Sequence, residues 1–183
     1  TAPTAGAAVQ WLRDGLGVLQ SLDESAALAM QVPDSGGVWA VPAFQGLGTP
    51  YMDIGARAVI GGLSRASTRA HVVRAVLEGI AYRSREILDV LLEDSSTPPP
   101  ERLRVDGGAA ANDFLLQHLA DVLALPVERP HTVQASGLGA AYLAGLATGV
   151  WQSLDEVRHA WRSGRVFEPR WSTDERETRF KNW

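Results

Sequence analysis

The sequence has no cysteine, which excludes disulfide bonds, thiolate nucleophiles and thiolate metal sites. No apolar run is long enough to cross a bilayer, and no signal peptide opens the chain, so we expect a cytoplasmic protein with no membrane partner. The net charge of −4 and the scattered basic residues argue against a nucleic-acid partner. What remains is an ordinary globular composition at a one-domain length, and we predict a single domain over residues 1–183. Because the first residue is Thr1 and not Met, we expect a piece of a longer protein.

Hydrophobic periodicity predicts helices that alternate with short strands. The longest predicted helices cover residues 6–19 and 68–92, and others follow Asn112, Gly139 and Ser172. The predicted strands cover residues 38–41, 58–60, 103–105 and 127–129. This alternation is typical of the α/β class, with parallel strand pairing and helices packed on the sheet.

A strand, a glycine pair and a helix follow one another between Leu103 and Asn112. Gly107 and Gly108 allow a tight turn and a close approach to the main chain, because neither carries a Cβ atom. The helix that follows presents unpaired N–H groups and a positive dipole end, which together favour a phosphate. The same pattern also fits a plain connection between a strand and a helix, so the turn alone leaves both interpretations open.

Longer segments are similar, in order along the chain, to one enzyme family. Residues 58–63 and 71–78, which read Ala-Val-Ile-Gly-Gly-Leu and His-Val-Val-Arg-Ala-Val-Leu-Glu, resemble the second signature of the FGGY carbohydrate kinases. Residues 6–14, 41–53 and 136–147 are similar to the members of that family that phosphorylate glycerol. The resemblance covers nearly the whole chain and identifies it as the C-terminal part of such a kinase.

The resemblance implies a fold and a reaction. FGGY kinases resemble the actin-like ATPases, in which two RNase H-like lobes close around MgATP and a polyol or sugar. This chain would be the C-terminal, nucleotide-binding lobe, with ATP or ADP and Mg²⁺ as its ligands, glycerol held mainly by the other lobe, and a homo-oligomer at full length. The first hairpin and third strand of the lobe would precede Thr1, so we expect an unpaired sheet edge and an exposed apolar face.

Four residues match nucleotide-contacting positions of the family. The resemblance gives Gly6 the role of leaving room for the nucleotide and Gln10 a contact through its amide. It brings the main-chain N–H of Gly108 to the phosphates and the side chain of Asn112 to the adenosine end. Gln10 also fits a solvent-facing helix amide, and Asn112 also fits a helix N-cap. No catalytic residue maps onto this chain, because the family's catalytic Asp and most polyol contacts lie in segments before Thr1.

Other candidates are weaker. Asp106 fits a water-mediated Mg²⁺ contact but equally a backbone acceptor at a turn. His71 reads as a residue of a first helical turn, and Glu78 as a structural hydrogen-bonding group. The segment 137–139, Gly-Leu-Gly, begins like a dinucleotide fingerprint, but Tyr142 stands where that motif needs a small residue.

The sequence also departs from the pattern of the glycerol-specific members. Met52 stands where these kinases commonly have Trp, and Ile54-Gly55 replaces a more usual pair of Pro and an aromatic residue. These changes leave two alternatives open, a lobe of another FGGY sugar or polyol kinase and a non-catalytic module that keeps the fold. Retention of all four nucleotide-contacting residues argues against the second alternative.

Overall fold

The structure is a computed structural model and describes residues 5–94, 98–132, 135–160 and 162–183. The helices are α1 (Ala5–Asp14), α2 (Glu24–Ala29), α3 (Arg69–Asp94), α4 (Asp113–Leu123), α5 (Ala135–Ala147), α6 (Leu154–Ala160) and α7 (Thr173–Asn182), with a 3-10 helix over Gly108–Ala111. The strands are β1 (Trp39–Val41), β2 (Val59–Gly61), β3 (Leu103–Arg104), β4 (Val127–Pro130) and β5 (Ser163–Phe167). The sequence also predicts an exposed, proline-stiffened connection over residues 95–100, of which residues 95–97 lie outside the described residues.

Helix α3 is the centre of the core. Its first half is buried, with Val73 and Leu77 fully enclosed, and it packs against α1, α2, α4 and β1. Gly79 lies where α3 meets β1, and a Cβ atom there would stand 2.2 Å from the carbonyl oxygen of Ala40. The helix and strand therefore approach each other backbone to backbone, which only glycine permits. The predicted helix over residues 68–92 is confirmed, with bounds that differ by one or two residues.

The described strands form two separate small sheets, with antiparallel pairs beside the expected parallel pairing. Strands β1 and β2 pair antiparallel, with Trp39 opposite Gly61. Strands β3 and β4 pair parallel, as predicted, but β5 joins the other edge of β4 antiparallel, with Phe167 opposite Val127. Parallel pairing was wrong for β1 and β2 because a loop, and not a crossover helix, connects them. Within the described ranges β3 pairs only with β4, so its other edge has no strand beside it.

The amino-terminal helix is shorter than predicted, and the next helix was not predicted at all. Helix α1 ends at Asp14, and Gly17 has a φ of 65°, a left-handed conformation that stops the helix. A helix over residues 6–19 would place Leu16 and Leu19 on the same apolar side, but Leu16 is 45% exposed, whereas Leu19 is buried in the following loop. The chain then forms α2, which packs on α3 and α4.

The last helix closes the core. The Ser172 hydroxyl accepts a hydrogen bond from the Glu175 N–H at 3.2 Å, which confirms the predicted cap. The spacing of Glu177 and Lys181 predicts a pair within the helix, and Glu177 accepts from Arg85 of α3 at 2.8 Å and from Arg176 of its own helix at 3.3 Å. The indole Nε1 of Trp183 donates to the carbonyl oxygen of Ala40 at 2.8 Å. Helix α7 is thus anchored to α3 and β1 and is more than the solvated helix that its charges predict.

Helix α5 contrasts with α7. It is composed of small and apolar residues on all sides, yet Gly145 is its only buried residue among those described, and Leu143 is 68% exposed. A helix that is apolar all round is normally buried. None of the described helices is both long and apolar enough to cross a membrane.

Candidate functional site

A cavity of about 540 Å³ opens between α1, α2 and the segment from the 3-10 helix into α4. Its walls come from residues 6–10, 22–26 and 108–115, and the last of these stretches lies far along the sequence from the other two. All four residues singled out from the sequence line it: Gly6, Gln10, Gly108 and Asn112. The structure therefore brings these residues together around one space, and their contact with a nucleotide stays a prediction.

The two glycines of the turn have different roles in the structure. Gly107 has a φ of 86°, which an L-residue rarely adopts, so the turn geometry requires glycine at this position. Gly108 begins the 3-10 helix and does not have a positive φ. Apart from the adjacent backbone, no atom of the described residues lies within 4 Å of the place where a Cβ atom of Gly108 would be, and the same is true of Gly6. The backbone at Gly6 and Gly108 is therefore open to the cavity.

Asn112 is the N-cap of α4. Its Oδ1 accepts from the Leu115 N–H at 2.9 Å, and its Nδ2 donates to the Ser25 hydroxyl at 2.9 Å. The N-cap interpretation is thus confirmed. These two hydrogen bonds leave one amide hydrogen and one oxygen lone pair of Asn112 unused, because a primary amide has two hydrogens to donate and two oxygen lone pairs.

Gln10 lies on the exposed face of α1, one helical turn after Gly6. Within the described part of the chain its amide makes no hydrogen bond. Both its donor and its acceptor are therefore available at the cavity wall.

Charge is nearly absent from the wall of the cavity. Among the described residues that line it, Asp23 is the one charged residue and none is a lysine or an arginine. At the start of α4 the carboxylate of Asp113 is paired with Arg129 at 2.8 Å and also with Arg165. An anion in the cavity would therefore depend on main-chain N–H groups, such as those that open the 3-10 helix and α4.

Ser25 also lines the cavity, and nothing in the sequence pointed to it. It is 2% exposed, and its hydroxyl donates to the carbonyl oxygen of Leu22 at 2.6 Å while accepting from Asn112. The interaction joins residues that are 87 positions apart, and no local pattern of residues signals it.

The weaker candidates are not among the described residues that line this cavity. His71 accepts from the Thr68 N–H at 3.1 Å, so it belongs to the first turn of α3, as predicted. Glu78 is buried and paired with Arg74, which confirms its structural role. Asp106 is exposed, and the described residues contain no group of three or more His, Asp or Glu side chains that could hold a metal ion. Segment 137–139 lies inside α5 and not in the turn that precedes it.

Residues 1–148 match the model of the C-terminal domain of the FGGY family of carbohydrate kinases. The chain belongs to this family. The FGGY assignment agrees with the fold, because a crystal structure of Plasmodium falciparum glycerol kinase with ADP superposes with a TM-score of 0.86. That superposition covers 98% of this chain and 36% of the kinase, at 35% sequence identity.

Two further relatives show how similarity varies within the FGGY family. Glycerol kinase 2 of Thermotoga maritima is 52% identical over 178 residues, which cover 97% of this chain and 36% of that enzyme. The ligand-bound xylulose kinase of Lactobacillus acidophilus is 26% identical, with a TM-score of 0.75 over 97% of this chain and 36% of that kinase. The chain thus spans about 36% of the length of these relatives.

Proposed function

We propose that this chain is the ATP-binding lobe of a kinase that transfers the γ-phosphoryl group of ATP to glycerol, giving glycerol 3-phosphate. The observation that carries the proposal is the single cavity lined by Gly6, Gln10, Gly108 and Asn112. These are the four positions that the family resemblance assigns to the nucleotide. The structural relative with a TM-score of 0.86 is a glycerol kinase with ADP, which supports a nucleotide as the ligand.

The cavity has features that a nucleotide-binding lobe needs for phosphoryl transfer. Phosphoryl transfer needs positioning and charge stabilisation more than covalent help from the protein. The open backbone at Gly6 and Gly108 lets phosphates approach main-chain N–H groups, and the free amide of Gln10 can donate or accept. The catalytic Asp and most glycerol contacts would come from segments of the kinase that precede this part of the chain.

The proposal includes Mg²⁺, which would bind together with the nucleotide. The described residues do not fit a metal site of their own, since they contain no cluster of three or more possible ligands and Asp106 is exposed. Mg²⁺ is often held by phosphates and waters with only one or two carboxylates, so the nucleotide would supply most of its ligands. We assign no step of the reaction to the metal.

Glycerol is favoured over a sugar by the comparisons. The chain is 52% identical to a glycerol kinase and 26% identical to a xylulose kinase over almost the same length. A lobe of another FGGY kinase is the alternative, and Met52 and Ile54 are the positions that depart from the glycerol-specific pattern. A cytoplasmic location and a homo-oligomeric kinase complete the proposal, and light scattering of the complete kinase tests the oligomer.

Calorimetric titration of the chain with ADP tests the nucleotide site. We expect weak binding, no better than roughly the high micromolar range. The chain alone lacks the contacts of the other lobe and the closure of the two lobes around the nucleotide. Gln10→Ala should weaken the binding further, whereas Gln31→Ala, an exposed glutamine outside the cavity, should leave it unchanged. Nanomolar binding by the chain alone would show that the site is complete without a second lobe.

A coupled assay of ADP release with glycerol tests the reaction. The chain alone should show no glycerol-dependent turnover, because positioning two substrates together is worth about 7–11 kcal/mol and one substrate has no site here. Addition of the separately expressed amino-terminal portion of the kinase should restore turnover with glycerol and not with xylulose. Turnover by the chain alone, or a preference for xylulose in the mixture, would contradict the proposal.

A further inference from the structure

Ser25 holds one end of the Asn112 side chain at the wall of the cavity. Its Oγ lies 2.9 Å from Asn112 Nδ2 and 2.6 Å from the carbonyl oxygen of Leu22. Ser25 is 2% exposed, so water does not compete for these bonds. Ser25 therefore links α2 to Asn112, the N-cap residue of α4.

The chemistry of these groups permits one arrangement of the bonds. A hydroxyl has a single hydrogen, and the carbonyl oxygen of Leu22 can only accept, so Ser25 gives its hydrogen to Leu22. Ser25 then offers only lone pairs to Asn112, which must turn its NH₂ group toward the serine. At the other end of the amide, Oδ1 must face the Leu115 N–H, which can only donate.

The two bonds act on opposite ends of the same planar amide. A 180° flip of Asn112 would place its oxygen against the lone pairs of Ser25 and its NH₂ against the N–H of Leu115, so both bonds would be lost at once. The N-cap bond alone holds one atom of the amide, and the serine holds the other. Together they fix which donor and which acceptor of Asn112 remain for a ligand.

We propose that Ser25 is a positioning residue for nucleotide binding, which pre-orients the Asn112 amide so that its remaining N–H and lone pair are available to the nucleoside. This inference rests on the proposed nucleotide site. Ser25 acts through Asn112 and need not touch the ligand. Without Ser25 the Asn112 amide loses one of the two hydrogen bonds that orient it. Part of the binding free energy is then spent on ordering this side chain, which weakens the affinity.

A double-mutant cycle on ADP binding tests this role. We expect Ser25→Ala to weaken ADP binding about threefold to tenfold, the range of one ordinary hydrogen bond. In a background of Asn112→Ser, which keeps an N-cap oxygen but removes the amide, Ser25→Ala should cause no further loss. Ser84→Ala is the matched control, because the Ser84 hydroxyl also donates to a carbonyl oxygen, that of Ile80 on α3, outside the cavity.

The outcomes separate this inference from the proposed function. Absence of ADP binding by the unaltered protein refutes the nucleotide site itself, and the role of Ser25 with it. Normal ADP binding by a folded Ser25→Ala variant overturns the role of Ser25 alone. A loss that is equal in both backgrounds also overturns it, because that result indicates general loosening of α2 without action through Asn112.

If Ser25→Ala does not fold, a measurement on the unaltered protein still tests the role of Ser25. The two Nδ2 hydrogens of Asn112 should differ in solvent exchange by NMR, with the hydrogen that faces Ser25 protected, as in an ordered amide. Addition of ADP should shift the resonance of the other hydrogen. Equal and rapid exchange of both hydrogens would show that the serine does not hold the amide.

Discussion

The guanidinium of Arg74 and the carboxylate of Glu78 form an ion pair inside the protein, with Nε 2.7 Å from Oε1 and side chains that are 11% and 9% exposed. The same guanidinium donates to the carbonyl oxygens of Val32 at 2.6 Å and Ala29 at 3.2 Å. Burial raises the pKa of Glu78, and the hydrogen bond from Arg74 opposes that rise. One side chain of α3 thus neutralises a buried acid and also fastens the end of α2, the helix that carries Ser25.

Loss of this arginine should be costly. Arg74→Met should lower the free energy of unfolding by about 3–5 kcal/mol, because it leaves the buried Glu78 carboxylate without a partner. Arg13→Met removes an exposed pair with Asp14 and should leave the stability unchanged within error. Urea unfolding of the two variants compares them. Equal stability of both would show that Glu78 is neutral in the folded protein and needs no partner.

Gly107 and Gly108 are expected to matter for different reasons, Gly107 for the conformation of the turn and Gly108 for the space that it leaves to a phosphate. Gly107→Ala should destabilise the protein by about 1–3 kcal/mol, because its φ of 86° and ψ of 176° form a conformation that essentially only glycine adopts. Gly108→Ala should leave the stability nearly unchanged, because its φ is ordinary and nothing lies within 4 Å of the added carbon. Gly108→Val should still abolish measurable ADP binding by blocking the approach of phosphate. Thermal unfolding and calorimetry give the two readouts, and a folded Gly108→Val variant with normal binding would refute the phosphate role.

Acid should weaken the fold through His118. Its ring is buried among aromatic side chains, and this burial, with the nearby charges of Arg74 and Arg179, lowers its pKa to about 3. The unfolded chain takes up a proton near pH 6.5 and the folded protein does not, so stability is full above that pH and falls below it. Between about pH 6.5 and pH 5 this group should remove about 2 kcal/mol from the free energy of unfolding.

The matched variants for this effect are His118→Leu and His159→Gln. The first should flatten the pH dependence of urea unfolding, because it removes the buried ring nitrogens. His159 is exposed on α6, so its replacement is the control for removing a histidine outside the core. An unchanged pH dependence in His118→Leu would show that other groups cause the loss in acid.

The contact of α3 with β1 depends on the absence of a side chain. Gly79→Ala should destabilise the protein by about 1–3 kcal/mol, because the new carbon would lie 2.2 Å from the Ala40 carbonyl oxygen and the backbone cannot yield cheaply. Gly139→Ala, on α5 with open space around it, should instead stabilise by about 0.5–1 kcal/mol through helix propensity. Thermal unfolding distinguishes the two, and a stable Gly79→Ala variant would refute the close approach.

Long elements with clear signals were predictable from the sequence, and short ones were not. Helix α3 repeats its apolar positions over many turns, and Ser172 marks the start of α7, so both were found. Helix α2 has six residues, too few to show a helical period. Strand β5 buries only Phe167, so it lacks the alternation of polar and apolar residues that indicates a half-buried strand.

The candidate site shows the same division. Gly6, Gln10, Gly108 and Asn112 were identified through family resemblance, and the structure places them on one cavity. Ser25 was missed, because its hydrogen bond to Asn112 depends on how α2 packs against α4. A pattern of neighbouring residues cannot report a contact that only the tertiary fold creates.

The walls of this cavity come from α1 and α2 at one side and from the 3-10 helix and α4 at the other. A ligand that contacts Gly6 and Gly108 together would join two distant points of a chain that has no disulfide to join them. It would act as a reversible cross-link, whose strength depends on ligand concentration. The rate at which the α1 backbone amides exchange with deuterium would then fall as ADP is added.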